Sequence, residues 1–315
     1  MSRNWVRSVA CILVGIVLAG CGTGSAPVAS TTPPPVTRAS AGPSALAVFA
    51  SASPAAARRL RASGASAVAL GAMPHARATA FPQVTVVGDV DERQMADING
   101  YVSQAVHDVS TVTGARFSRE LLVLAPRSEA EFARIYGSSN VADIQADTVI
   151  VAGKQPYIVF NAGRSIQMVS GPSATSTMPQ VNSAQVSRKV LTHEVFHALT
   201  LTYAARRHLP LWLTEGFAEW AGQKFSGLHL TPKAKRAALP SNADMSGSNA
   251  VDAYQVATSF VRYIVKTCGQ RKAIAFYSKA VVHPTGSLAA LAERELGHSM
   301  PTLVAGWQHA YQSSR

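Results

Sequence analysis

No acidic residue precedes Asp89 in this chain of 315 residues, and that asymmetry decides where a folded domain can be built. Everything before it is apolar, small or basic, so the chain divides into unlike parts before any motif is read. Residues 1–20 carry Arg3 and Arg7, then an apolar run from Val9 to Gly20, and end against Cys21. A basic start, a short apolar centre and small residues at the close make a secretory signal. The run falls short of the roughly 20 apolar residues that span a bilayer. From Gly22 to about Ala80 the chain is rich in Ser, Ala, Thr and Pro, including Pro33-Pro34-Pro35, and reads as a disordered tether over 21–80. Within it Ala45 to Leu70, with Arg58, Arg59 and Arg61, has the composition of a weak helix. Docking on the domain, contact with lipid and disorder all stay open for it. The folded domain is expected over 81–315.

The stretch Leu18-Ala19-Gly20-Cys21 resembles the lipobox of bacterial lipoproteins. That resemblance implies cleavage before Cys21, a lipid on its sulfur, and export to the outer face of the bacterial cytoplasmic membrane. An ordinary signal peptide with a chance cysteine is the alternative. Cys11 would leave with the signal and Cys21 would be lipidated, so Cys268 remains alone and no internal disulfide is expected. The formal charge of +12 shrinks on partition: without the seven arginines before Phe81, about +5 remains on the domain. Such a mildly basic domain does not call for a nucleic-acid partner. The basic tether suits anionic lipid or wall polymer instead.

From Phe81 onward the pattern is mixed. Val84 to Val87 and Leu121 to Leu124 read as strands. Glu92 to Thr113 and Ser128 to Tyr136 read as helices, each stopped by a glycine. Val149 to Val151 and Tyr157 to Phe160 flank Gly153-Lys154-Gln155-Pro156 and suggest a hairpin. Residues 165–182 read as a loop, and nearly everything after them is helical in character. The class is α+β: a small mixed sheet with helices first, a mainly helical half second, and a helix over about 183–206 between them.

That intervening helix holds Leu191-Thr192-His193-Glu194-Val195-Phe196-His197-Ala198-Leu199. At about 100° per residue, positions four apart share one helical face. His193 and His197 can therefore reach one ion, while Glu194 lies beside them, placed for a metal-held water rather than the metal. This is the logic of the His-Glu-x-x-His pattern. The plain alternative is two unrelated histidines on an ordinary helix. A second segment, Pro210-Leu211-Trp212-Leu213-Thr214-Glu215-Gly216-Phe217-Ala218-Glu219-Trp220, sets acids four apart on a following helix. A catalytic zinc needs three protein ligands and one open position. Glu215 can supply the third, and Glu219, one turn on, can accept a hydrogen bond from a ligating histidine.

These two segments resemble the gluzincin metallopeptidases, especially bacterial peptidase-MA-like domains and more distantly the aminopeptidase N family. The likeness lies in HEVFH, then WLTEGFAEW, with 17 residues between His197 and Glu215. It implies one Zn2+ held by His193, His197 and Glu215, Glu194 as general base, and Glu219 supporting a histidine ligand. The strong motifs span about 30 residues, with weaker likeness in element order over most of 81–280. The aminopeptidase motif Gly-x-Met-Glu-Asn is absent, so recognition of a free amino terminus does not follow. A later tyrosine stabilises the oxyanion in the related enzymes, and Tyr254 occupies a similar place; a tyrosine packed in the core is the alternative. By the same likeness Tyr157 to Asn161 would be the substrate-binding edge strand, although Asn161 equally suits a strand end.

The expected activity is zinc-dependent hydrolysis of a peptide or protein substrate by a membrane-anchored enzyme. A non-catalytic zinc-binding envelope lipoprotein and a zinc hydrolase of another bond stand as alternatives. Cleavage specificity and oligomeric state are not legible.

Overall fold

The computed structural model describes residues 52–162 and 183–313, apart from Gly64, Ser66, Pro74, Ser118, Arg119, 138–140, 142–143 and Lys235, together with Cys11 and Ile12. The rest of the expected signal, Cys21, the first part of the expected tether and the loop expected over 165–182 lie outside these residues.

Five strands form one mixed sheet: β1 (Arg77–Ala80), β2 (Val84–Gly88), β3 (Leu121–Ala125), β4 (Ile144–Val149) and β5 (Tyr157–Phe160). Their spatial order is β4-β5-β3-β2-β1, and the two-residue Cys11–Ile12 adds a short sixth beyond β4. β2 and β3 run parallel, joined through α3 (Glu92–Thr113), and β5 is parallel to β3. The β4–β5 hairpin is antiparallel as expected, pairing Val149 with Tyr157. Its first strand lies earlier than expected, and Val151 falls in the turn region instead.

Two apolar layers enclose the sheet. Val84, Val86, Leu121, Val123, Ile158 and Phe160 face α3 and the helical half. Val87, Leu122, Leu124, Tyr157 and Val159 face the opposite way. Strands buried on both faces read as unbroken apolar runs, as VTVV, LLVL and YIVF do here. Such a sheet needs a covering layer on its second face. The layer comes from α1 (Pro54–Ala62), α2 (Ala67–Gly71) and α4 (Glu129–Tyr136), through Leu60, Leu70 and Phe132, with Met73 just beyond α2.

The tether read as ending at Ala80 is thereby corrected. Within 21–80, Ser53 caps the helix α1, and Arg77–Ala80 is a full sheet strand paired with β2. Arg59 fixes this layer. Its guanidinium donates to Phe81 O, Pro82 O, Thr85 Oγ1 and Glu120 Oε1 at 2.8–3.0 Å.

A second expectation is also corrected. Tyr157–Phe160 is interior, flanked by β3 and β4, so it cannot be an edge strand. On that side β4 lies outside it, with only the two-residue Cys11–Ile12 beyond β4. Asn161 is fully buried and donates from Nδ2 to Ile144 O, a structural strand-end role.

The remaining elements are helices: α5 (Ser183–Thr200), α6 (Tyr203–His208), α7 (Leu211–Ser226), α8 (Asn242–Ser246), α9 (Ala250–Cys268), α10 (Gln270–Val282), α11 (Leu288–Leu296) and α12 (Met300–Ser313). A sheet in the first half and helices in the second make the fold the expected α+β class. α5 is wedged between α3, β4 and α7. Arg188 forks onto Asp108 of α3 with two contacts of 3.0 Å. α7 comes close to α5 because Gly222 has no side chain: a Cβ there would lie 2.6 Å from Lys189 O. Gly222→Ala must push these backbones apart. Overpacking of this kind costs about 1–3 kcal/mol, so thermal unfolding should show a lowered melting temperature.

Candidate metal centre

α5 is apolar on nearly every side, with Val190, Leu191, Val195, Phe196, Ala198 and Leu199 all buried. Its histidines are therefore interior groups, and buried polar groups require partners. His193 and His197 turn toward α7, where Glu215 faces them. His193 Nε2 lies 3.2 Å and His197 Nε2 3.1 Å from Glu215 Oε2, and the two Nε2 atoms are 3.1 Å apart. These residues form a buried group that could hold a metal ion.

The spacing fits the chemistry. Ligand atoms about 2.0–2.1 Å from one ion at tetrahedral angles lie about 3.3 Å from each other. Among the described residues no fourth His, Cys, Asp or Glu joins the group.

Burial alone would raise the Glu215 carboxyl. The charge of His197, followed by hydrogen bonds with His193 and His197, outweighs burial and holds it far below the ordinary carboxylate range. Glu219 is buried too, but the Lys189 ammonium and the bond with His193 depress it in the same direction.

Glu219 stands where the sequence placed it. Its Oε2 is 3.3 Å from His193 Nδ1. Its Oε1 meets Lys189 Nζ at 2.6 Å, Gln223 Nε2 at 2.7 Å and Gln255 Nε2 at 3.1 Å.

Glu194 is not part of the ligand triangle. The hydroxyl of Thr148, on β4, lies 2.7 Å from Glu194 Oε2 and 2.9 Å from Glu194 O. Arg206 of α6 donates to Thr148 O at 2.9 Å and pins that stretch of strand. Tyr254 of α9 is buried, its ring 6.3 Å from the His193 ring and within 25° of parallel. The fold thus brings all six sequence-singled residues of the domain (His193, Glu194, His197, Glu215, Glu219 and Tyr254) to one region. Cys21 lies outside the described residues.

Several residues went unread in the sequence. Lys189 and Gln223 each had a signal, lying four positions from His193 and Glu219 on the same helical faces. Thr148 had none, since it reaches Glu194 only through tertiary packing. Tyr277 was also missed. It is buried between Phe196 and Phe217, at ring distances of 5.1 and 4.9 Å, with its hydroxyl 3.1 Å from Thr200 Oγ1. Burial, assisted by the Glu215 charge, pushes its phenol well above the usual range.

No family model and no curated protein matches the chain.

Proposed function

We propose that the protein is an exported, lipid-anchored zinc metallopeptidase that cleaves a peptide or protein substrate. The observation that carries this is the convergence of His193 Nε2, His197 Nε2 and Glu215 Oε2 within 3.1–3.2 Å, beside a carboxylate that is not a ligand. His193, His197 and Glu215 would hold the ion. When bound, zinc supplies Lewis acidity, polarising a carbonyl oxygen and bringing the acidity of water toward neutral pH.

The chain's own groups supply the rest. Glu194 takes the proton of the attacking water and passes it to the leaving amine. Thr148 holds that carboxylate to β4, so the base is oriented before substrate arrives. Tyr254 is the hydroxyl donor assigned to the developing oxyanion. β4 is the strand suited to pair with an extended substrate, since main-chain hydrogen bonds at a sheet edge accept peptides.

A structural site would gain nothing from an acid such as Glu194 beside its ligands and would close the fourth position with protein. The lack of a fourth ligand among the described residues therefore favours catalysis over a purely structural ion.

Incubation of the full chain with a peptide library should give cleavage that a chelator abolishes and zinc restores. Cleavage unaffected by chelator would exclude the proposal. Thr148→Val should keep zinc affinity while lowering kcat about tenfold, less than the roughly 10²–10⁴-fold that a general base contributes in all, because the base is kept but loses its orienting hydroxyl. Unchanged kcat in that variant would remove Thr148 from the scheme.

A further inference from the structure

We infer that Arg206 sets substrate preference: its guanidinium reads a carboxylate carried by the bound peptide close to the cleaved bond. The inference deepens the peptidase reading above and rests on its placing the peptide along β4.

The pairing of β4 with β5 decides which way Thr148 turns its main chain. Asn161 N donates to Gln145 O, and Asp147 and Val149 stand opposite Val159 and Tyr157. Antiparallel ladders alternate hydrogen-bonded and non-hydrogen-bonded pairs. Gln145, Asp147 and Val149 therefore turn their main-chain groups toward β5, and Thr148, lying between the last two, turns its N–H and C=O outward. The outer side is the one that an extended peptide would join. There the Thr148 carbonyl accepts from Arg206 Nη1 at 2.9 Å. A guanidinium thus stands in the track of any peptide laid along β4 as far as Thr148.

The side chain of the same threonine leads to the base. Thr148 Oγ1 lies 2.7 Å from Glu194 Oε2. One residue thus joins Arg206 to Glu194, so what the guanidinium touches belongs to the part of the peptide next to the bond on which Glu194 acts.

The charge of Arg206 is not spent inside the fold. Arg59 and Arg188 are paired with Glu120 and Asp108. Among the described residues no carboxylate pairs with Arg206, and its hydrogen bond goes to a neutral carbonyl. A guanidinium is a planar fork of several N–H donors, and most of this fork is left for another acceptor. Arg206 is half-buried, unlike its exposed neighbour Arg207, which lies 5.9 Å from the centre of the Tyr203 ring. A fork held in place by the strand, partly shielded from water and without an acid of its own, suits a carboxylate in geometry and charge. The shared chemistry has two sources: an Asp or Glu side chain, or the peptide's own C-terminus.

The test gives the zinc-loaded full chain a peptide library built in matched pairs, Glu against Gln at each position and free C-terminus against C-terminal amide. The wild type should prefer a carboxylate at one place beside the cleaved bond by about tenfold or more, the size of a hydrogen bond to a charged group. The arm that shows the preference identifies its source. Arg206→Gln can still donate to Thr148 O but carries no charge, and in it the ratio of kcat/KM between acid and amide peptides should vanish. Arg206→Lys should restore part of that ratio. Binding supplies a second readout: the fraction of the same library retained by metal-free full chain should be enriched in the same carboxylate, and Arg206→Gln should lose the enrichment. A wild type with no acid preference would overturn the inference. So would an Arg206→Gln variant that slows all peptides alike and keeps the preference, since Arg206 would then only clamp β4. Acid-selective retention without any cleavage would sink the peptidase reading while leaving Arg206 as the reader of a peptide carboxylate.

Discussion

Glu194→Gln should retain one zinc per chain yet lose peptide hydrolysis by about 10²–10⁴-fold, the contribution of a positioned general base. The two halves of this result separate because Glu194 stands outside the ligand triangle. Its carboxylate is engaged with Thr148 on β4, whereas His193, His197 and Glu215 meet each other. Glutamine keeps the shape and can still accept from Thr148, so the fold should be undisturbed. What it cannot do is accept a proton from water. Metal content and thermal unfolding would match the wild type, with kcat alone collapsing. A variant that still hydrolyses peptide at the wild-type rate would remove Glu194 from the mechanism.

Glu215→Ala should act the other way, through the metal. It deletes the one carboxylate oxygen that both imidazoles face, leaving two ligands where a catalytic zinc needs three. Zinc affinity should drop by more than about 100-fold, exceeding the loss usual for a supporting hydrogen-bond partner. Zinc binding to the folded state alone adds about 2.7 kcal/mol at a hundredfold excess over Kd. Wild-type protein should accordingly melt at a higher temperature as zinc is added, and Glu215→Ala should not respond. A zinc-dependent rise of equal size in that variant would mean that the ion sits elsewhere.

The buried group of His193, His197 and Glu215, which could hold a metal ion, was legible in the sequence because its parts are local. His193 and His197 are one turn apart on a single helix, and so are Glu215 and Glu219. Only the meeting of the two helices was non-local, and there the 17-residue connection and the likeness to gluzincins supplied what periodicity could not. The boundary at Ala80 failed for a compositional reason. Alanine, serine and proline between 51 and 80 conceal Leu60, Leu70, Met73 and Arg59, which cover the second face of the sheet. The unbroken runs VTVV, LLVL and YIVF carried the hint, since a sheet with one wet face would alternate. The edge strand was misplaced because spatial order need not follow chain order. β4 precedes β5 in the chain yet lies outside it. Thr148 was invisible for a related reason, as its contact with Glu194 spans 46 positions.

Zinc K-edge X-ray absorption on the full chain loaded with one equivalent of zinc tests the central claim most directly. Two imidazole nitrogens and carboxylate oxygen in a four-coordinate shell at about 2.0–2.1 Å are expected, with one imidazole lost from the shell in His197→Ala. A shell without histidine, one containing sulfur, or no stoichiometric zinc at all would contradict it.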